Sequence, residues 1–178
     1  MNDIKFNISE HWLPVNEKQG SLDKDTLRIK VSGINYHTKP DTSYWGVFTG
    51  SIRLEPNNPY DSNAIGFYKS DGQLLGYVQK ELQDYVGKFT KGRELDCVIV
   101  ITPFFSKEGK IQNQAYATIL KFFEDDIEYA TETINRVTED VGNDALIEMT
   151  HFENELSSHG NLQSFWVFTT DYYSIFYR

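Results

Sequence analysis

A single cysteine, Cys97, among 178 residues excludes an internal disulfide, and its neighbours Leu95, Val98 and Val100 make it a small core residue. The longest apolar runs, Val98-Ile-Val-Ile101 and Phe165-Trp-Val-Phe168, fall far short of the roughly 20 residues that a spanning helix needs. The Met1-Asn-Asp-Ile start has no basic flank followed by an apolar block. The expectation is a cytoplasmic, unexported protein with no membrane association. Four histidines, His11, His37, His151 and His159, are scattered, none at metal-ligand spacing from a partner. No Gly-x-x-x-x-Gly-Lys-Ser/Thr loop is present, so any ATP-driven motor belongs to another chain. These absences point away from an enzyme: no catalytic residue, no metal and no cofactor are expected.

The length is enough for one good core and an appended element, with no sign of tandem repeats or low complexity. Net charge of −9 argues against nucleic acid only if taken whole. Residues 1 to 123 carry 15 Lys and Arg against 14 Asp and Glu, whereas residues 124 to 178 carry 2 against 12. The first part is neutral, with Lys80, Lys88, Lys91 and Arg93 close together, and nearly all the acidity lies in the tail.

The five prolines are sparse, but two of them fall in one loop, Glu55-Pro-Asn-Asn-Pro-Tyr-Asp-Ser-Asn-Ala-Ile65. Pro56 and Pro59 fix their own φ and restrict the residues before them, so the loop geometry is preset. Asn58 and Asp61 bond readily to nearby backbone and leave Tyr60 at the tip, a flat ring with a hydroxyl. A second element, Gly76-Tyr-Val-Gln-Lys80, follows. Aromatic and carboxylate groups held at a rigid turn suit binding; the alternative is a tight inter-strand turn in which Tyr60 covers the end of a barrel.

Alternation and turn signals place strands near 26–33, 44–55, 63–69, 73–78, 94–104 and 114–123, which suits a small barrel. Asp71-Gly72 marks a hairpin between the third and fourth strands, and Lys107-Glu-Gly-Lys110 a turn between the fifth and sixth. Leu82, Tyr85, Val86 and Phe89 recur at helical spacing, giving one short covering helix that stops near Gly92. Beyond Phe123 the period changes. Ile127, Ala130, Ile134, Val137 and Val141, then Leu146, Met149, Phe152 and Leu156, predict two amphipathic helices with acidic outer faces, interrupted at Gly142-Asn143. The aromatic stretch from Phe165 to Tyr177 predicts one or two strands around Asp171, completing the fold or seating a partner. The expected class is α+β, mainly β: a lead-in over 1–25, a six-stranded OB-like or SH3-like barrel with its covering helix over 26–123, and an acidic helical extension ending in aromatic strands over 124–178.

The ordered set Val31-x-Gly33-x-x-Tyr36, a strand ending at Leu54, the Glu55 to Ile65 loop, and Gly72-x-x-x-Gly76-Tyr-Val-x-Lys80 resembles the HIRAN domain over roughly residues 26 to 123. HIRAN domains occur alone and as accessory modules of fork-remodelling ATPases. The resemblance implies an OB-like barrel that captures a single-stranded DNA 3′ end. Carried over by position, it implies that Tyr36 and Tyr60 stack on terminal bases, Asp61 accepts from the 3′ hydroxyl and Lys80 lies near a phosphate, with Asn58 and Tyr77 in the same DNA-binding site.

This sequence departs from the family pattern in two places. Asn35 stands where a basic residue often precedes the first tyrosine, and Tyr77 where the family has a histidine, so one phosphate-binding cation is missing. Two other classes of reading are open. Glu55, Asp61 and Lys80 could gather as a nuclease-like Mg²⁺ site, although their spacing matches no established motif. Alternatively, the acidic tail imitates a phosphate array, as an inhibitor from a phage or mobile element would, and its partner is a nucleic-acid-processing protein.

Overall fold

A computed structural model of the protein describes residues 26–121 and 127–158. Six antiparallel strands, β1 (Thr26–Lys30), β2 (Gly46–Leu54), β3 (Ile65–Lys69), β4 (Leu74–Tyr77), β5 (Leu95–Phe105) and β6 (Ile111–Leu120), form one sheet in the order β1-β6-β5-β2-β3-β4. The predicted lead-in over 1–25 and the aromatic strands after Phe165 lie outside the described residues.

The curled sheet nearly closes on itself. Past the end of β1, Ser32 and Tyr77 of β4 exchange both backbone hydrogen bonds at 2.8 Å, a single bridge that joins the two edge strands. Only glycine fits at position 76, because a Cβ there would collide with the carbonyl oxygen of Ser32. Immediately after the bridge Gly33 turns the chain at φ 78°, a left-handed conformation, into the one-turn helix α1 (Ile34–His37). The strand expected near 26–33 therefore ends at Lys30, and Tyr36 stands on α1.

Between β4 and β5, a 3₁₀ turn (Lys80–Leu82) leads into α2 (Gln83–Thr90), which ends with Lys91 in the left-handed region ahead of Gly92. This is the covering helix read from the sequence, and the hairpins at Asp71-Gly72 and Lys107 to Lys110 are also in place.

The interior holds Leu27, Ile29 and Val31 of β1 and its extension, Ile52, Phe67, Leu75, and Ile99, Ile101, Ala117 and Ile119. The opposite face of the β5 run is buried too. Val98 and Val100, with Tyr116 and Leu120, pack against Val137, Val141 and Ala145. A strand covered on both sides reads as an unbroken apolar run, which is why Val98 to Ile101 does not alternate.

The cover on that face is one continuous helix, α3 (Ile127–Ser158), in place of the two expected. Glycine in a helix costs about 1 kcal/mol relative to alanine. Each buried valine- or phenylalanine-sized side chain is worth about 1.5–3 kcal/mol, so packing of Ala145, Met149 and Phe152 beyond the glycine outweighs it. Phe152 stacks on Phe105 at 5.1 Å between centroids and meets Trp45 edge-on. The acidic faces are not wholly outward either. Arg28 donates to Asp144 at 2.5 Å with side-chain exposures of 7% and 13%, and Gln114 donates to Glu148 at 3.2 Å. Two carboxylates of α3 thus bind it to the sheet, while Glu132, Glu139 and Asp140 face solvent.

Candidate nucleic-acid interface

The loop after β2 is organised by Glu55 and Asn58. Glu55 accepts from the hydroxyl of Tyr68, from Asn58 Nδ2 at 2.8 Å and, at 3.4 Å, from the hydroxyl of Tyr77. Burial first, and then the Glu55 carboxylate, push the Tyr68 phenol up to about 12 and raise that of Tyr77. Asn58 Oδ1 in turn accepts from the backbone N–H of Tyr60 at 3.0 Å and of Asp61 at 3.3 Å. The side chain of Asn58 is spent on shaping the turn, so its place in the site is to aim its neighbours.

What it aims is open to solvent. Tyr60 is 96% exposed, so it does not cover the end of the barrel. Each oxygen of the adjacent Asp61 accepts one hydrogen bond, from Asn63 N–H at 2.9 Å and from Gln83 Nε2 at 2.9 Å. Those bonds, with that from Gln83 foremost, and the positive charge of Lys80 hold the Asp61 carboxyl below the usual carboxylate range. Lys80 itself is exposed on the 3₁₀ turn.

Tyr77 connects this loop to α1. Its hydroxyl accepts from Asn58 Nδ2 at 3.4 Å, its backbone makes the closing bridge with Ser32, and its ring meets His37 edge-on at 6.0 Å. Tyr36, the neighbour of His37, is 92% exposed. A chain of contacts thus links Tyr36, through its neighbour His37, to Tyr77, Asn58, Tyr60, Asp61 and Lys80, with Tyr77 half-buried and Tyr36 and Tyr60 exposed.

Asn35 does not face this surface as a ligand. Its Nδ2 donates to the Asn113 carbonyl and its Oδ1 accepts from the Asn113 N–H, both at 2.8 Å. The Asn113 side chain is buried, accepting from Trp45 Nε1 and donating to Thr38 Oγ1 and to the Lys39 carbonyl.

Beside Asn35 opens a groove of about 500 Å³, with Tyr36 on its rim and Lys30, Gln79, Phe104 and Gln112 in its walls. Sequence reasoning missed these wall residues and Gln83. Gln83 had one legible signal, its position three residues after Lys80 at the start of the covering helix. Lys30 and Phe104 read only as strand residues.

Among the described residues, no three His, Cys, Asp or Glu side chains gather so as to hold a metal ion. The Glu55–Asp61–Lys80 metal reading fails on partners, since Glu55 is occupied by two tyrosine hydroxyls and an amide inside the loop. Cys97 is buried and its thiol is pushed up to about 12 by that burial, the state of an inert core thiol. Lys88, Lys91 and Arg93 are exposed around the end of α2. No described helix is long and apolar enough to cross a membrane.

The family model of the HIRAN domain matches residues 24–122. The helicase-like transcription factor of Oryctolagus cuniculus is 36% identical over 77 residues, 41% of this chain and 7% of that protein. Its Mus musculus counterpart is 29% identical over 99 residues, 53% and 9% of the two chains. The matched region is thus under a tenth of the length of these curated relatives. Among solved structures, the crystal structure of the HIRAN domain of human HLTF aligns with a TM-score of 0.36 at 21% identity, covering 67% of this chain and 90% of that one. The NMR structure of the HLTF HIRAN domain in its DNA-bound conformation aligns with a TM-score of 0.35 at 22% identity, covering 68% and 88%. Helix α3 falls outside the family match, whereas every residue of the candidate surface falls within it. From Gly33 to Lys80 and across all six strands, the chain belongs to the HIRAN domain family.

Proposed function

We propose that this protein is a non-catalytic DNA-binding module that takes a single-stranded 3′ end. The observation that carries the reading is the Asp61 carboxylate, fixed at both oxygens, kept ionised, and set beside the exposed ring of Tyr60. A base stacked on an exposed aromatic gains about 1–3 kcal/mol whatever its identity, so Tyr60 and Tyr36 give affinity without sequence preference. The spare lone pairs of Asp61 can accept from a free terminal hydroxyl, whereas a terminal phosphate would place like charges together. Lys80 suits the adjacent phosphate and stabilises the ionised Asp61. A family relative solved in a DNA-bound conformation supports the DNA-binding part of the reading.

The imitation of nucleic acid by the acidic extension is less well supported. Asp144 and Glu148 face the sheet and help to hold α3, which leaves the exposed acids of the helix as an ordinary solvated face.

Titrating fluorescent oligothymidylate as a free strand and as a blunt duplex tests the proposal. The free strand is expected to bind far more tightly, because stacking needs unpaired terminal bases. Equal affinity for both would reject it.

A further inference from the structure

The groove beside Asn35 holds one cation. Among the described residues, Lys30 is the only charged one in the groove wall, and none there is a carboxylate. It is exposed, and it makes no ion pair among the described residues. The amide side chains of Gln79 and Gln112, also in the wall, make no hydrogen bond among the described residues, whereas those of Asn35, Asn113 and Gln114 are all engaged within the fold. An unneutralised ammonium, two uncommitted amides and an aromatic rim match a flexible chain with anionic linkages and neutral polar edges.

We infer that the groove is a second subsite, which takes the phosphodiester backbone of the strand as it leaves the end-binding turn, with Lys30 as its phosphate cation. This rests on the end-binding reading, because Tyr36 is shared: it lies on the groove rim and is joined through His37 and Tyr77 to the Asn58–Asp61 turn. A strand whose terminal nucleotides stack at Tyr60 and Tyr36 would continue past Tyr36 into the groove.

The test compares the full chain with Lys30→Ala, Lys30→Glu and Tyr60→Ala, using oligothymidylate of two and of six nucleotides with a free 3′ hydroxyl over a salt series. One phosphate contact on a single strand contributes a slope of about 0.7 in log affinity against log salt. Lys30→Ala is expected to weaken the hexanucleotide roughly five- to tenfold and flatten its salt slope by about 0.7, with the dinucleotide almost unaffected. Lys30→Glu should weaken the hexanucleotide further. Unchanged thermal melting of both variants, expected of an exposed side chain, separates this from loss of folding. If the Lys30 variants bind both lengths as the natural protein does while Tyr60→Ala loses affinity, the groove is overturned and the end site stands. If Tyr60→Ala also changes nothing, the end-binding reading fails, and the groove proposal with it.

Discussion

The carboxamide of Asn35 pairs with both backbone groups of Asn113, as a neighbouring strand residue would. Beyond Val31, whose N–H is the last of that edge to reach β6, the side chain of Asn35 continues the ladder after the backbone has turned away into α1. Asn35 is therefore a device that fastens α1, and with it Tyr36, to the sheet.

Asn35→Ala should leave the N–H and carbonyl of Asn113 without partners at the groove floor. A cost of about 1–3 kcal/mol in urea unfolding is expected. Asn35→Arg, which places a cation there, should also destabilise, because an arginine cannot accept from the Asn113 N–H.

The buried pair of Arg28 and Asp144 makes α3 part of the domain. Arg28→Ala strands a carboxylate that is 13% exposed and should destabilise by about 3–5 kcal/mol. The double change to Arg28→Met with Asp144→Leu should recover most of that loss. Deleting everything after Phe123 uncovers Val98, Val100, Tyr116 and Leu120, so the truncated chain should melt early and bind a hydrophobic dye. The role of the tail charge is better tested by neutralising the exposed Glu132, Glu139 and Asp140 in the full chain.

Tyr36→Ala and Tyr60→Ala should each weaken binding of a single strand by about 1–3 kcal/mol while the melting temperature stays within a degree or two of the natural value. Both rings are more than nine-tenths exposed, so little packing is lost. A fall in stability without a fall in affinity would show that they are structural.

Asp61 has its carboxyl depressed chiefly by the hydrogen bond from Gln83. A depressed folded-state value means that the ionised form contributes stability above the ordinary carboxylate range and that this contribution is lost as pH falls through the folded value. Preference for a 3′ hydroxyl should follow the same ionisation, and so persist in moderately acid solution. Gln83→Ala should move its loss to higher pH, toward the ordinary range, and leave affinity at neutral pH less affected than Asp61→Ala does. Affinity measurements on oligothymidylate from about pH 2.5 to 6 check this, because the range extends below the ordinary aspartate value of about 3.9.

Local chemistry made most of this legible. The strands of alternating apolar residues, the hairpin at Asp71-Gly72 and the proline-fixed loop each follow from neighbours in sequence, and all appear where that chemistry puts them. The long helix was not legible, because Gly142 and Asn143 carry a breaking signal that only the contacts of Ala145, Met149 and Phe152 with distant strands override. The role of Asn35 depends on Asn113, 78 positions away, and that of Gln83 on Asp61, 22 away; no periodicity encodes such pairs. Asn58 bonds within its turn, as its residue type predicts, and stands beside the other residues that the family resemblance assigns to DNA.

The most direct test of the account is competition between three otherwise identical oligothymidylates, one with a free 3′ hydroxyl, one with a 3′ phosphate and one circularised to remove its ends. The account predicts that the 3′ hydroxyl strand binds at least tenfold more tightly than either, on the order of 1.4 kcal/mol, and that Asp61→Ala abolishes the difference between hydroxyl and phosphate. Equal affinity for all three in the natural protein would contradict it.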